Sequence, residues 1–271
     1  MIDPRLTGKV ALITGANQGI GAAAAIALAA QGVAVFLTYK RLDPLKHPAY
    51  PDAYDRLRAR DAGEVVARVR EAGGRAESAE ADLADPETPG RLFDLAEAAF
   101  GPVEILVNNA SGWIGDTFAA QEHDGFGRPT RQVDAATYDR QFAVDVRAPA
   151  LLIAEFARRH VARGASWGRV IGLTSEGPHG FPGEVSYGAA KSAQESYTMS
   201  AAHELGRHGI TANMVHPPIT DTGWINEEVE SLARAHGPIG TVGRPEEVAE
   251  VITYLASHQA RRVTAQVIRM Y

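Results

Sequence analysis

Residues 10–21 read VALITGANQGIG: a short apolar, β-branched run, then three glycines within one turn, then at once an alanine-rich stretch. A strand that passes without a spacer into a glycine turn and a helix constrains the chain more than any other feature. Glycine gives the turn positive φ and lets backbone approach a ligand closely. The free N–H groups at a helix start, with the helix dipole behind them, favour an anion. The pattern predicts a β–turn–α unit whose glycines face a phosphate. A tight turn with no ligand is the plain alternative for a lone triplet, but its place after the first strand of an alternating chain favours a dinucleotide.

The rhythm continues along the chain. Apolar strands are expected at 10–14, 33–38, 103–108, 169–174, 210–216 and 263–270. Helices are expected at 20–30, 61–72, 87–100, 137–161, 187–205 and 245–256. Continuous apolar strands separated by helices indicate a parallel sheet covered on both faces. The expected fold is α/β: one doubly wound Rossmann-type domain over 1–271, with a sheet of about seven strands. Two stretches break the rhythm. Residues 40–60, rich in Pro, Asp, Arg and Tyr, read as an insertion after the second strand, and 111–134 read as a long loop after the fourth. Loops of that length are usually functional.

Composition removes several function classes. The 271 residues are 45% hydrophobic and 22% charged, an ordinary globular mix. No apolar run approaches the roughly 18–20 residues of a membrane span. A net charge of −6 argues against nucleic acid as a partner. The absence of cysteine excludes disulfides, thiol catalysis and cysteine-held zinc. His123, His179, His203 and His216 share no ligand-like spacing, so no metal is expected. The start, MIDPRLTGKV, carries no secretory pattern, and a cytoplasmic location is the expectation.

Tyr187 and Lys191 stand four apart, on one face of an expected helix. An ammonium beside a phenol favours the phenolate, which suits proton exchange with a nascent alkoxide. Ser175 leaves the preceding strand at its C-terminal edge, where ligands of doubly wound sheets bind, with Thr174 as the neighbouring rival. Together with Thr14-Gly-x3-Gly-Ile-Gly21, Asp82-Leu83, Asn108-Asn109-Ala110 and His216-Pro217-Pro218 followed by Thr222, these motifs run in order along nearly the whole chain. The sequence resembles the short-chain dehydrogenase/reductase family.

That resemblance implies hydride transfer between a nicotinamide dinucleotide and a carbonyl or secondary alcohol. Tyr187 would be the proton donor or acceptor, Ser175 would hold the substrate oxygen, and Lys191 would tune the tyrosine and bind ribose. Cofactor contacts are implied for Gly15, Asn17, Gln18, Gly19, Ile20 and Gly21 in the turn, and for Tyr39, Lys40 and Arg41 after the second strand. Asp82, Leu83, Asn109, Ala110, Tyr187, Lys191, Pro217, Ile219 and Thr222 complete the implied set. No carboxylate closes the second strand, and the cations Lys40 and Arg41 stand there instead, which favours NADP(H) over NAD(H). Arg56, Arg58 and Arg60 of the insertion are further cations that could fold back over a phosphate.

The chain departs from the family pattern in three places. Asp145 stands where asparagine is usual, Ser111 replaces a glycine and Pro218 replaces another. Asp145 either serves through its backbone carbonyl, so that Asp145→Asn is tolerated, or pairs with Lys191. These departures keep open a second reading, a cofactor-binding sensor or scaffold with little turnover. The resemblance also implies a homo-oligomer, a tetramer. Trp113, Phe118, Phe126, Trp224 and Ile225, from 111–134 and 222–240, are expected as walls for a small-molecule substrate.

Overall fold

Strand β1 (Val10–Thr14) is buried along its whole length, and helix α1 (Gly19–Ala30) follows the glycine turn directly. A computed structural model describes residues 3–44, 46–47, 49–175 and 180–271. Beyond α1 come β2 (Ala34–Tyr39), α2 (Asp52–Arg58), α3 (Gly63–Glu71), β3 (Arg75–Glu80), α4 (Thr88–Phe100) and β4 (Ile105–Asn108). The long loop holds two short strands, β5 (Asp116–Thr117) and β6 (Arg131–Gln132), paired with each other. Then follow α5 (Ala135–Phe142), a π-turn (Ala143–Arg147), α6 (Ala148–Ala162), β7 (Gly168–Leu173), α7 (Val185–Leu205), β8 (Ile210–His216), α8 (Glu227–His236), α9 (Pro245–Ala256) and β9 (Val267–Arg269).

The main sheet is parallel throughout and seven-stranded, in the order β3-β2-β1-β4-β7-β8-β9. The chain order reverses between β1 and β4, and a crevice opens at the carboxyl ends of those two strands. Apolar side chains fill both faces. Ala24, Leu28, Val66 and Ile252 pack one side, from α1, α3 and α9. Leu92, Phe93, Leu152, Phe156 and Ala202 pack the other, from α4, α6 and α7. Helix α1 is apolar on nearly every face because the sheet, α3 and α9 surround it.

Three elements differ from the sequence expectation, each for a physical reason. The expected helix over 137–161 is two helices joined by a π-turn, with the Ala148 N–H reaching the Ala143 carbonyl. Pro149 has no N–H to return to the Asp145 carbonyl four residues earlier, and the helix widens there. Strand β3 (RAESAE) is polar because it is the sheet edge, where charged side chains are favoured and an apolar pattern is not required. The insertion 40–60 forms a short helix, α2, that folds back over the crevice. Among the described residues no helix is long and apolar enough to cross a membrane.

Candidate active site

The glycine turn is a cradle that a side chain would fill. At Gly19, where φ is +55°, a Cβ would lie 2.9 Å from the Thr222 methyl group. At Gly21 a Cβ would meet the Gly15 carbonyl at 2.4 Å. Helix α1 has no side-chain cap at Gln18, so no capping side chain of this chain takes its first-turn N–H groups. Gln18 Oε1 is itself buried without a hydrogen-bond partner among the described residues. A pyrophosphate fits these groups: open N–H donors, a positive dipole end and backbone on the floor.

Thr14 ties this turn to β4. Its hydroxyl accepts from the N–H groups of Asn109 and Ala110, both at 3.0 Å. Asn109 Nδ2 donates back to the carbonyls of Thr14 and Gly15, both at 2.9 Å. Asn109 therefore braces the crevice, with both side-chain N–H groups on the chain. Ile20 packs on the core beside it. Asn17 Nδ2 donates to the Arg60 carbonyl at 3.0 Å, which brings the end of the insertion onto the turn.

At the end of β2 the expected cations already hold carboxylates. Lys40 Nζ lies 2.5 Å from Asp82, and Arg41 lies 2.6 Å from Glu80. Asp82 also accepts from the Ala84 N–H, and Leu83 turns into the core. Across the crevice, the 217–222 segment is held to Gly243, whose N–H donates to the Ile219 carbonyl at 2.8 Å. Pro218 packs on that glycine, which has no room for a Cβ.

The structure brings Ser175, Tyr187 and Lys191 together where β7 ends against the first half of α7. The Ser175 hydroxyl hydrogen-bonds that of Tyr187. Lys191 Nζ lies 5.6 Å from the Tyr187 ring centroid and donates to the Leu173 carbonyl at 3.1 Å. Asp116, far away in sequence, accepts from the Ser186 N–H at 2.9 Å and so caps the start of α7. Phe181 meets the Tyr187 ring edge-on at 5.7 Å.

Asp145 is fully buried beneath this set. Its Oδ2 accepts from the Gly112 N–H at 2.6 Å and from Gln141 Nε2 at 2.8 Å. Its Oδ1 faces the Lys191 ammonium at 3.2 Å, an ion contact without hydrogen-bond alignment. The Ile114 N–H donates to Gln141 Oε1, which fixes the Gln141 amide with its NH2 toward Asp145. Every neighbour of the carboxylate is thus a donor. An asparagine would turn its own NH2 against one of them in either orientation. The geometry corrects the expectation that Asp145 serves mainly through its backbone and that asparagine is tolerated. The side chain pairs with Lys191.

Burial pushes the Tyr187 hydroxyl well above the ordinary tyrosine range. The negative charges of Asp145 and Glu184 push the same way, and the Ser175 hydrogen bond opposes them. With Lys191 matched by Asp145, Tyr187 is held as a phenol, a proton donor rather than a base.

The expected walls are reached in part. Trp113 Nε1 donates to Glu184 at 2.6 Å, and the Arg128 guanidinium lies 5.3 Å from the ring centroids of both Trp113 and Phe126. Trp224 Nε1 donates to the Thr220 carbonyl, and Ile225 is half-buried beside it. Phe118 is 78% exposed and forms no wall. Sequence reasoning missed Tyr50 and Tyr54, which stack at 5.9 Å, with Tyr50 edge-on to Trp113 at 6.2 Å. Their four-residue spacing within a polar insertion is the one signal that could have marked them. Ser175 also borders a cleft of about 470 Å³ lined by Phe181, Val185, Ser192, Glu195 and Arg269. Among the described residues no three His, Cys, Asp or Glu side chains gather as a metal site would need, and His179 lies outside them.

Sheet order, glycine cradle and the Ser–Tyr–Lys set together define a class of nucleotide-dependent oxidoreductase. The chain belongs to the short-chain dehydrogenase/reductase family: residues 54–270 match the family described as Enoyl-(Acyl carrier protein) reductase, and residues 9–50 match short chain dehydrogenase. It is therefore an NAD(P)-dependent dehydrogenase/reductase. It is 33% identical over 263 residues to an uncharacterized oxidoreductase, YjdA, of Bacillus subtilis (strain 168), covering 96% of this chain and 94% of that one. It is 33% identical over 264 residues to a cis-4-hydroxycyclohexanecarboxylate dehydrogenase of Sinomonas cyclohexanicum, covering 96% and 94%. Among solved structures it is similar to a short chain dehydrogenase from Burkholderia cenocepacia J2315 in complex with NADP, with a TM-score of 0.78, 31% identity and coverage of 98% and 97%.

Proposed function

We propose that this protein reduces a carbonyl to a secondary alcohol with NADP(H), working as one cofactor-binding domain. The observation that carries it is the Ser175–Tyr187–Lys191 set at the carboxyl end of β7, with Tyr187 held as a phenol. When bound, the nicotinamide supplies the hydride. Ser175 holds the substrate oxygen, and Tyr187 gives that oxygen its proton. Lys191, clamped by Asp145 and the Leu173 carbonyl, stays beneath the tyrosine ring and presents its charge to ribose hydroxyls. Trp113, Tyr50 and Tyr54 exclude water and favour a cyclic or aromatic skeleton beside the reacting carbonyl.

The NADP-bound relative and the cations after β2 support the 2′-phosphorylated cofactor. A homotetramer is supported by apolar side chains left exposed on α6 and α7, Leu151, Val161 and Tyr197, and light scattering tests it. For the activity itself, NADPH oxidation is followed at 340 nm over a panel of cyclic and aromatic ketones. Tyr187→Phe is expected to lower turnover by roughly 10²- to 10⁴-fold while NADPH titrates with unchanged affinity. Near-normal turnover in that variant overturns the assignment.

A further inference from the structure

The insertion 40–60 is pinned at both flanks of the cofactor crevice. The Leu42 N–H donates to the Arg58 carbonyl at 3.0 Å, next to the end of β2. Two residues on, the Arg60 carbonyl accepts from Asn17 in the glycine turn. On its other side α2 meets the 222–223 backbone: a Cβ on Gly223 would lie 2.9 Å from Leu57 Cδ1 and 3.7 Å from Tyr54 Cα. Thr222 in turn reaches over Gly19. The end of α2, the glycine turn and the 222–223 segment are therefore three sides of one recess.

The cations around this recess are not equivalent. Lys40 is matched by Asp82, Arg41 by Glu80 and Arg60 by Glu64. Arg58 has no carboxylate among the described residues. Its guanidinium lies 5.5 Å from the Tyr54 ring centroid, and its Nη1 is buried with no hydrogen-bond partner among the described residues. A buried guanidinium N–H without an acceptor is costly, because water is lost and nothing replaces it. Three neighbouring cations have taken up the local carboxylates. This one, nearest the phosphate turn by its backbone, has not.

We propose that Arg58 binds a phosphate of the dinucleotide, so that the 40–60 insertion is a clamp closed on the cofactor rather than a decoration of the sheet edge. A planar guanidinium held over Tyr54 presents two parallel N–H groups, the geometry that a phosphate oxygen pair accepts. The partner chemistry is a phosphate ester, which the 2′-phosphate and the pyrophosphate both offer. The inference rests on the reading that this chain binds NADP(H).

The test is binding, not turnover. Wild type, Arg58→Gln, Arg58→Lys and Arg56→Gln are titrated with NADPH, NADH and 2′,5′-ADP by calorimetry. Arg58→Gln is expected to weaken NADPH roughly 10- to 100-fold, the range of a hydrogen bond to a charged group. Arg58→Lys, which keeps the charge and loses the fork, should lie between. Arg56, exposed on the same turn, should behave as wild type. If NADPH and 2′,5′-ADP weaken and NADH does not, Arg58 holds the 2′-phosphate; if NADPH and NADH weaken together, it holds the pyrophosphate. Unchanged affinity for all three ligands in a folded Arg58→Gln overturns the proposal alone. Failure of the wild-type protein to bind either dinucleotide overturns the cofactor reading beneath it.

Discussion

Lys40–Asp82 and Lys191–Asp145 are the same chemical pair in opposite surroundings. The first is the shorter contact, 2.5 Å against 3.2 Å, yet its side chains are 48% and 44% exposed, while those of the second are 3% and 0%. Water and salt screen the first, and such pairs contribute about 0–1 kcal/mol. The second cannot be screened, and removing one partner strands the other. Distance therefore ranks these pairs wrongly and surroundings rank them correctly. The exposed pair can be opened when a ligand arrives. The buried pair is part of the frame, joining α7, the π-turn and the loop after β4 through Lys191, Gln141 and Gly112.

The largest effect expected from breaking this contrast is Asp145→Ala. It leaves the Lys191 charge buried and unpaired and should cost about 3–5 kcal/mol in urea unfolding, with most turnover lost. Asp145→Asn keeps the shape but sets an NH2 against a donor, and should cost about 1–3 kcal/mol. Equal stability of wild type and Asp145→Asn would show that the carboxylate charge is not needed. A double replacement, Asp145→Leu with Lys191→Met, should recover part of the stability and none of the activity.

A smaller effect separates the two regions by pH. Burial raises the hydroxyls of Tyr50, Tyr54 and Tyr187 above the ordinary value of 10. Below pH 10 both folded and unfolded forms keep these protons, so stability is flat. Above it the unfolded chain ionises first, and stability falls by at most about 1.4 kcal/mol per pH unit for each tyrosine. Denaturation midpoints between pH 8 and 11 check this, and Tyr50→Phe should make the fall shallower. The exposed region fails at the other end. Partial burial raises Asp82, but hydrogen bonds from Lys40 and Ala84 outweigh it and hold the carboxyl low. Its stabilisation is present above about pH 4 and fades as pH drops through the lowered value. The smallest expected effect is accordingly Lys40→Ala at neutral pH, at most about 1 kcal/mol and erased by 0.5 M salt. A larger or salt-insensitive loss would mean that this pair is not screened.

What is legible in the sequence follows the same division between local pattern and distant assembly. Strands β1, β4, β7 and β8 are buried on both faces and read as apolar runs, and the glycine turn announces itself by spacing alone. The Tyr187–Lys191 pair is legible because helix period places it on one face. Strand β3 leaves no apolar signal because it is an edge. Asp116 capping α7, and Gln141 orienting Asp145, depend on residues brought together from distant elements, and no local pattern encodes them. Arg58 is visible as a cation, but its unmatched state becomes apparent only once its neighbours' carboxylates are placed.

The π-turn at Ala143–Arg147 sets how this chain can vary in length. A π-turn holds one residue more than an α-helix of the same rise requires. Deleting a residue within 143–147 would rotate everything after it by about 100°. Leu152, Phe156 and His160, all buried on one side of α6, would then swing off the core while arginines turned inward. The exposed turn at 125–128 carries no such phase, and a one-residue gap there would displace only the loop. Among relatives of this protein, then, insertions and deletions should collect in 118–130 and be absent from 143–147, and an alignment that placed a gap in the π-turn would be misregistered.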